Sequence, residues 1–163
     1  MTRVRSQLRW LWISLLVIVL DQIAKQIAEQ LLTPHTAVEF MPFFDWYLTY
    51  NTGAAFSFLA GAGGWQRWLF AVIAIVISGV ILNWLRRLPG DETLTAVSLS
   101  LILGGAIGNL IDRIYLGHVI DYIQVWLGSY PFPAFNIADA AISVGAVMLI
   151  WSSFAGIGKP STE

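Results

Sequence analysis

The chain has 163 residues, of which 57% are hydrophobic and only 12% charged, and its mean hydropathy is +0.70. An ordinary soluble domain carries about twice that charged fraction, so the length divides into a few membrane-spanning helices and short connections, not a water-soluble core. A net charge of −1 offers nothing to nucleic acid, and the absence of cysteine excludes disulfides, thiolate metal sites and a cysteine nucleophile.

Four segments are predicted to span a bilayer, at about residues 10–31, 68–85, 94–111 and 137–157. They make residues 1–163 a single all-α integral membrane domain, with a small β-structured element on its outer surface. The first span is most apolar over Leu11–Leu20. That stretch is too short alone, since roughly 20 residues are needed, so the helix carries Asp21, Gln22 and Lys25 toward its far end. Asp21 and Lys25 stand at i and i+4 and can neutralise each other as a structural pair. They also stand where a signal peptide would offer small residues for cleavage, so this helix is expected to stay attached.

Arg3, Arg5 and Arg9 precede the first span, Arg86 and Arg87 follow the second, and Lys159 follows the fourth. All fall on one side of a four-span layout. The positive-inside rule makes that side cytoplasmic, with both termini inside and the connections at about 33–66 and 114–135 outside.

The first outer connection alternates aromatic and β-branched residues through Val38-Glu39-Phe40 and Phe43 to Tyr50, a strand-like pattern that lays aromatics at headgroup level. Asn51-Thr52-Gly53 then reads as a turn, and the Asn51 amide could present both donor and acceptor to a peptide. Gly61-Ala-Gly63-Gly64 breaks the chain before the second span. Asp45, Asp91 and Glu92 read as solvated loop acids.

The third span ends in Gly104-Gly-Ala-Ile-Gly108-Asn109-Leu-Ile-Asp112-Arg113. Gly104 and Gly108 leave one helix face bare enough for a close backbone approach. Gly105 and Gly108 also stand among the candidate substrate contacts. Asn109, Asp112 and Arg113 share a face at i, i+3 and i+4. Asn109 and Arg113 are read as facing substrate, and Asp112 as structural, in a local pair with Arg113.

Two carboxylates sit where a membrane protein should not spend them. Asp121 lies in the loop before the last span, within His118-Val-Ile-Asp121-Tyr, and Asp139 lies just inside that span, within Phe135-Asn136-Ile-Ala-Asp139. A charge at membrane depth costs roughly 2.5 kcal/mol or more and is normally kept for a task. Asn136 can cap the fourth helix, which puts Asp139 in the first turn, where the helix dipole favours an anion. Two acids at one bilayer edge suggest a dyad sharing a proton, with Asp121 protonated and Asp139 ionised. His118 raises the question of a metal, but with no second histidine nearby it reads as a surface residue, and no metal or cofactor is expected. The residues alone leave other readings open: a transporter lined by Asp121, Asp139 and Arg113, a metal hydrolase using Asp112, His118 and Asp121, or an inactive scaffold.

Five blocks occur in order: Asp21-Gln22-x-x-Lys25, Asn51-Thr-Gly-Ala-Ala-Phe-Ser57, Gly104-Gly-x-x-Gly-Asn109-Leu-Ile-Asp112-Arg113, Val119-Ile-Asp121-Tyr and Phe135-Asn136-Ile-Ala-Asp139. Together with the size and four-span layout, they resemble the lipoprotein signal peptidase (signal peptidase II) family over nearly the whole chain. The resemblance implies an aspartyl endopeptidase of the bacterial inner membrane that removes signal peptides from prolipoproteins. Cleavage falls N-terminal to a diacylglyceryl-modified cysteine. It implies catalysis by Asp121 and Asp139, with Asn51, Asn109, Arg113 and Asn136 around them, four helices with a small outer β-cradle, and inhibition by globomycin. Lipidated prolipoprotein and membrane lipid are the expected partners, and a monomer the expected state.

Overall fold

The computed structural model describes residues 7–53 and 64–156; Arg3, Arg5, Ala54–Ser57, Gly61–Gly63 and Lys159 lie outside them. A 3₁₀ turn, Gln7–Trp10, leads into α1 (Leu11–Leu31), followed by α2 (Trp65–Arg87), α3 (Thr93–Tyr115) and α4 (Ile137–Gly156). All four helices are long and apolar enough to cross a membrane. At 1.5 Å per residue, the 23 residues of α2 or α3 rise about 34 Å, enough for the hydrocarbon core. Helix α3 runs to Tyr115, four residues past the expected end, so Asp112 and Arg113 stand on the helix itself.

The helices are turned inside out relative to a soluble bundle. On α1 the residues facing outward include Leu15, Leu16, Val19, Leu20, Ile23 and Ile27, whereas Ser14, Asp21 and Lys25 are buried. In lipid there is no gain from hiding leucine, and polar side chains turn inward to find partners. Helix α3 touches all three other helices. Close packing on it uses small residues: Ser14 Oγ donates to the Ser100 carbonyl at 2.7 Å, and a Cβ at Gly104 would stand 2.9 Å from the Ser14 carbonyl oxygen. At one end of the bundle Ile81, Leu85, Leu88, Ala96, Leu99 and Leu103 form an apolar cluster, and Gln7 Nε2 reaches the Pro89 carbonyl at 2.7 Å.

The other end carries an antiparallel sheet of β1 (Ala37–Met41), β2 (Phe44–Asn51), β3 (Val119–Leu127) and β4 (Tyr130–Pro131), in that order. The sequence pattern anticipated strands only within 33–66. Half of the sheet comes from the second connection instead, so Asp121 sits on a strand and not in a loop. The run Val119-Ile-Asp-Tyr-Ile-Gln-Val-Trp-Leu127 is rich in β-branched and aromatic residues, which suits a half-buried pleated surface. The sheet packs on the end of α1 through Ala28, Leu48, Ile120 and Tyr122, with Trp46 stacked on Tyr122 at 6.3 Å. Asp45 corrects a second expectation. It is buried, and it accepts a hydrogen bond from Trp126 Nε1 at 2.7 Å, two strand positions from its register partner Gln124. Beyond β4, Phe135 bridges back to Ile123, its N–H donating to the Ile123 carbonyl at 2.9 Å. That bridge delivers Asn136 to the side of β3.

Candidate active site

Strand register and helix capping together bring the two carboxylates to one polar cluster. In the β2–β3 ladder Thr49 faces Asp121 and Asn51 faces Val119. Residues two apart share a sheet face, so Asn51 lies diagonally across from Asp121 and its Nδ2 donates to Asp121 Oδ2 at 3.1 Å. Asn136, completely buried, sits at the start of α4 and accepts the Asp139 N–H on its Oδ1 at 2.9 Å, while its own N–H donates to Asp139 Oδ2 at 3.3 Å. This is a reciprocal capping box with aspartate in the third helical position. The other Asp139 oxygen, Oδ1, accepts from Asn109 Nδ2 at 2.7 Å.

Three asparagines therefore surround the dyad, and all are polarised the same way. The Asn51 oxygen is held by the Gly53 N–H at 2.9 Å, in a tight turn for which Gly53 adopts φ 98°. The Asn136 oxygen is held by the Asp139 N–H. The Asn109 oxygen is held by Lys25 Nζ at 3.0 Å and by Asn136 Nδ2 at 3.1 Å. With each carbonyl engaged, each NH2 points at a carboxylate, and Asn136 Nδ2 reaches Asp121 Oδ1 at 2.8 Å. Four N–H groups thus converge on two acids, a donor set suited to holding carboxylates in fixed orientations.

Beneath this layer lies a buried ion cluster. Lys25 Nζ is 2.8 Å from both Asp21 Oδ2 and Asp112 Oδ2, and all three side chains are nearly solvent-free. The expected Asp21–Lys25 pair is present; Asp112 pairs with Lys25 and not, as its sequence neighbour suggested, with Arg113. The cluster also ties backbone to backbone. Asp21 Oδ1 accepts the Ala138 N–H at 2.9 Å in the first turn of α4, and Asp112 Oδ2 accepts the Ile120 N–H at 3.2 Å, one residue before Asp121. Gln22, which occurs in the first sequence block but was not singled out there, donates to Asp112 Oδ1 at 2.8 Å. Its signal was its place beside Asp21, with nothing to show which way it turns.

Arg113 donates to the Asn109 carbonyl at 3.2 Å, lies over the Phe70 ring at 5.4 Å, and is within electrostatic reach of Asp139 and Asp121. Gly105 and Gly108 sit at helix contacts. A Cβ at Gly105 would collide with the Ala138 carbonyl oxygen, and one at Gly108 would stand 2.8 Å from Asp21 Oδ2. His118 is half-buried, its ring in an edge-to-face contact with Tyr50 at 4.6 Å. Among the described residues no three of His, Asp and Glu group closely enough to hold a metal ion.

Burial next to a second carboxyl acts on Asp121. Burial, and then the neighbouring Asp139 carboxylate, push Asp121 up to about 7, against the opposing pull of the Asn51 and Asn136 donors and of Lys25. Asp139 sits in the first turn of α4, and its two carboxyl oxygens accept from Asn109 Nδ2 and from the Asn136 backbone N–H. Two neighbouring carboxyls, one of which holds its proton near neutrality, are an arrangement that can share and move protons.

Comparison with known proteins bears on the family and the fold. The family model described as "Signal peptidase (SPase) II" matches residues 13–155. Proteins named lipoprotein signal peptidase are 58% identical in Pseudomonas putida and 57% in Pseudomonas fluorescens, each over 151 residues, covering 91% of this chain and 88% and 89% of theirs. A bacterial membrane enzyme solved by the in meso method at 2.3 Å resolution superposes with a TM-score of 0.81 at 29% identity, covering 95% of this chain and 93% of that one. A second, at 1.9 Å, gives 0.77 at 30% identity over 89% and 92%. A match over nearly the whole chain, at this identity and with this fold, means that the chain belongs to the signal peptidase II family.

Proposed function

We propose that Asp121 and Asp139 are the catalytic pair of this protease and that Asn51, Asn109, Asn136 and Arg113 orient them and the substrate. As a member of its family the chain is a multi-pass bacterial membrane protein that removes the signal peptide from prolipoproteins, cutting N-terminal to the diacylglyceryl-modified cysteine. The observation that carries the assignment of the pair is the convergence of three similarly polarised asparagine amides on these two carboxylates.

In the mechanism, ionised Asp139 takes a proton from a water lying between the carboxyls, and the water oxygen attacks the scissile carbonyl. Protonated Asp121 gives its proton to the carbonyl oxygen, forming a tetrahedral diol without a covalent enzyme intermediate. The C–N bond then breaks as Asp139 returns a proton to the leaving amine and Asp121 takes one back. Arg113, beside the pair, supports the substrate backbone and its developing charge. Gly105 and Gly108 act by letting Ala138 and Asp21 approach α3, which brings Asn109 to Asp139.

The site and sheet lie at the end of the bundle opposite Arg9, Arg86 and Arg87, so the positive-inside rule puts them at the outer face and both termini in the cytoplasm. The acyl chains of the substrate then hold the cleavage site at bilayer level. Globomycin-type peptides inhibit by occupying the pair, and the enzyme works as a monomer. The experiment is cleavage of a lipidated prolipoprotein by wild type, Asp121→Asn and Asp139→Asn, each with and without chelator. Cleavage by wild type under both conditions, with both variants folded but inactive, is expected. Full activity of either variant would falsify the dyad, and inhibition by chelator would replace it with a metal mechanism.

A further inference from the structure

We infer that Lys25 is a positioning residue for catalysis, acting through Asn109 on Asp139; the inference rests on the reading of Asp139 as catalytic. Lysine carries three donors and no acceptor. Two of its donors serve Asp21 and Asp112 at 2.8 Å each, and the third serves Asn109 Oδ1 at 3.0 Å. With its charge buried, Lys25 can face only the oxygen of the Asn109 amide. The NH2 of that amide must then face the other way, where it makes its 2.7 Å bond to Asp139 Oδ1.

Local geometry alone would leave the choice of amide face open, because the two ends of an asparagine side chain have nearly the same shape. A flipped Asn109 would turn its oxygen on the Asp139 carboxylate. It would also set its NH2 against the Asn136 NH2, which now donates to Asn109 Oδ1 at 3.1 Å and to Asp121 Oδ1 at 2.8 Å. Both acids would lose alignment from a single flip. The ammonium guards against that flip, and its positive charge polarises the amide so that it donates more strongly to Asp139. The pairing of Lys25 with Asp21 and Asp112 holds the ammonium in place for this purpose as well as neutralising it. The polarity of the site is thus set from α1, which contributes no side chain that contacts either acid through a hydrogen bond among the described residues.

The test uses purified full-length enzyme and a synthetic lipidated prolipopeptide. Lys25→Met, which cannot donate, is expected to lower kcat ten- to a hundredfold with KM within twofold. Added to Asn109→Ala, it is expected to cost less than a further threefold, because the amide it orients is already gone. Lys25→Met leaves two buried carboxylates unpaired and can fail to fold, so Asn109→Asp provides a second arm. That variant keeps an oxygen for Lys25 and turns a second oxygen on Asp139. It sets two buried carboxyls against each other, so it is expected to melt below the wild type and, where folded, to be as inactive as Asn109→Ala. Full multiplication of the Lys25→Met loss on Asn109→Ala, or retained activity in Asn109→Asp, would overturn the inference. Asp139→Asn, run beside them, separates the failures: normal cleavage by that variant removes the catalytic reading itself, whereas an inactive Asp139→Asn beside an active Asn109→Asp removes only the positioning.

Discussion

Asn136 donates from Nδ2 to Asp121 Oδ1 at 2.8 Å while its Oδ1 caps the first turn of α4. One buried amide thus joins a strand carboxylate to a helix N-terminus, and its two ends can be tested apart. Serine is a good N-cap but too short to reach Asp121. Asn136→Ser should therefore retain most of the melting temperature while kcat/KM falls roughly a hundredfold, the usual scale for losing a preorganised donor. Asn136→Ala should lose activity similarly and about 1 kcal/mol of stability besides. Thermal melting and cleavage kinetics on the two variants check both; equal melting of Ser and Ala variants would remove the capping role.

The proton on Asp121 fixes the sign of the pH dependence. In the proposed mechanism Asp121 acts protonated, and burial beside Asp139 raises it from 3.8 to about 7, so cleavage should fall as pH rises through about 7. Stability runs with the same sign. A carboxyl raised on folding contributes fully below its unfolded value near 3.8 and loses that contribution as pH rises to about 7. Asp121→Asn does not titrate. Its melting temperature relative to wild type should climb between about pH 4 and pH 7 and then level off, even though the variant is inactive. Melting curves across that range check this, and a variant melting temperature that falls relative to wild type as pH rises would contradict it.

The sheet has its own buried acid. Asp45 accepts from Trp126 Nε1 at 2.7 Å and has little contact with water. Trp126→Phe keeps the ring but removes the donor, leaving a carboxylate short of a partner at a cost of roughly 1–3 kcal/mol. The double variant with Asp45→Asn should recover part of that loss. Denaturation of the four proteins forms a double-mutant cycle, and strict additivity would show that the bond contributes little.

How far the sequence could be read depended on the kind of signal. The spans were legible because about twenty apolar residues in a row have few other uses, and Asp121 and Asp139 because charge at membrane depth is costly. The capping of α4 followed from Asn136 and Asp139 being three residues apart. Strand β3 is hidden in the sequence because Asp121 and Gln124 interrupt its alternation. Asp112 was paired with its neighbour Arg113, since sequence displays local partners, whereas Lys25 lies 87 positions away and is brought close only by the packing of α1 on α3. The buried state of Asp45 was hidden for the same reason: its partner Trp126 lies on the other connection. Amide orientation leaves no mark in sequence at all.

Glycines on α3 and α4 allow packing and activity to be separated by position. A Cβ at Gly105 meets the Ala138 carbonyl oxygen and, at 2.7 Å, Ile142 Cγ1, one turn from Asn109 and next to Asp139. A Cβ at Gly145 meets the Ser98 carbonyl oxygen at 2.7 Å and Ile102 Cγ1 at 2.8 Å, on the same α3–α4 contact but farther from the pair. Either substitution forces backbone apart and should cost about 1–3 kcal/mol as overpacking. They should differ in catalysis, because only the first pushes Asn109 away from Asp139, and a misplacement near 1 Å can cost about a hundredfold in rate. Gly105→Ala is expected to lose far more kcat than Gly145→Ala at a similar loss of melting temperature. Equal losses of kcat would mean that the whole helix pair shifts as one body, and that the tight approach at Gly105 serves stability alone.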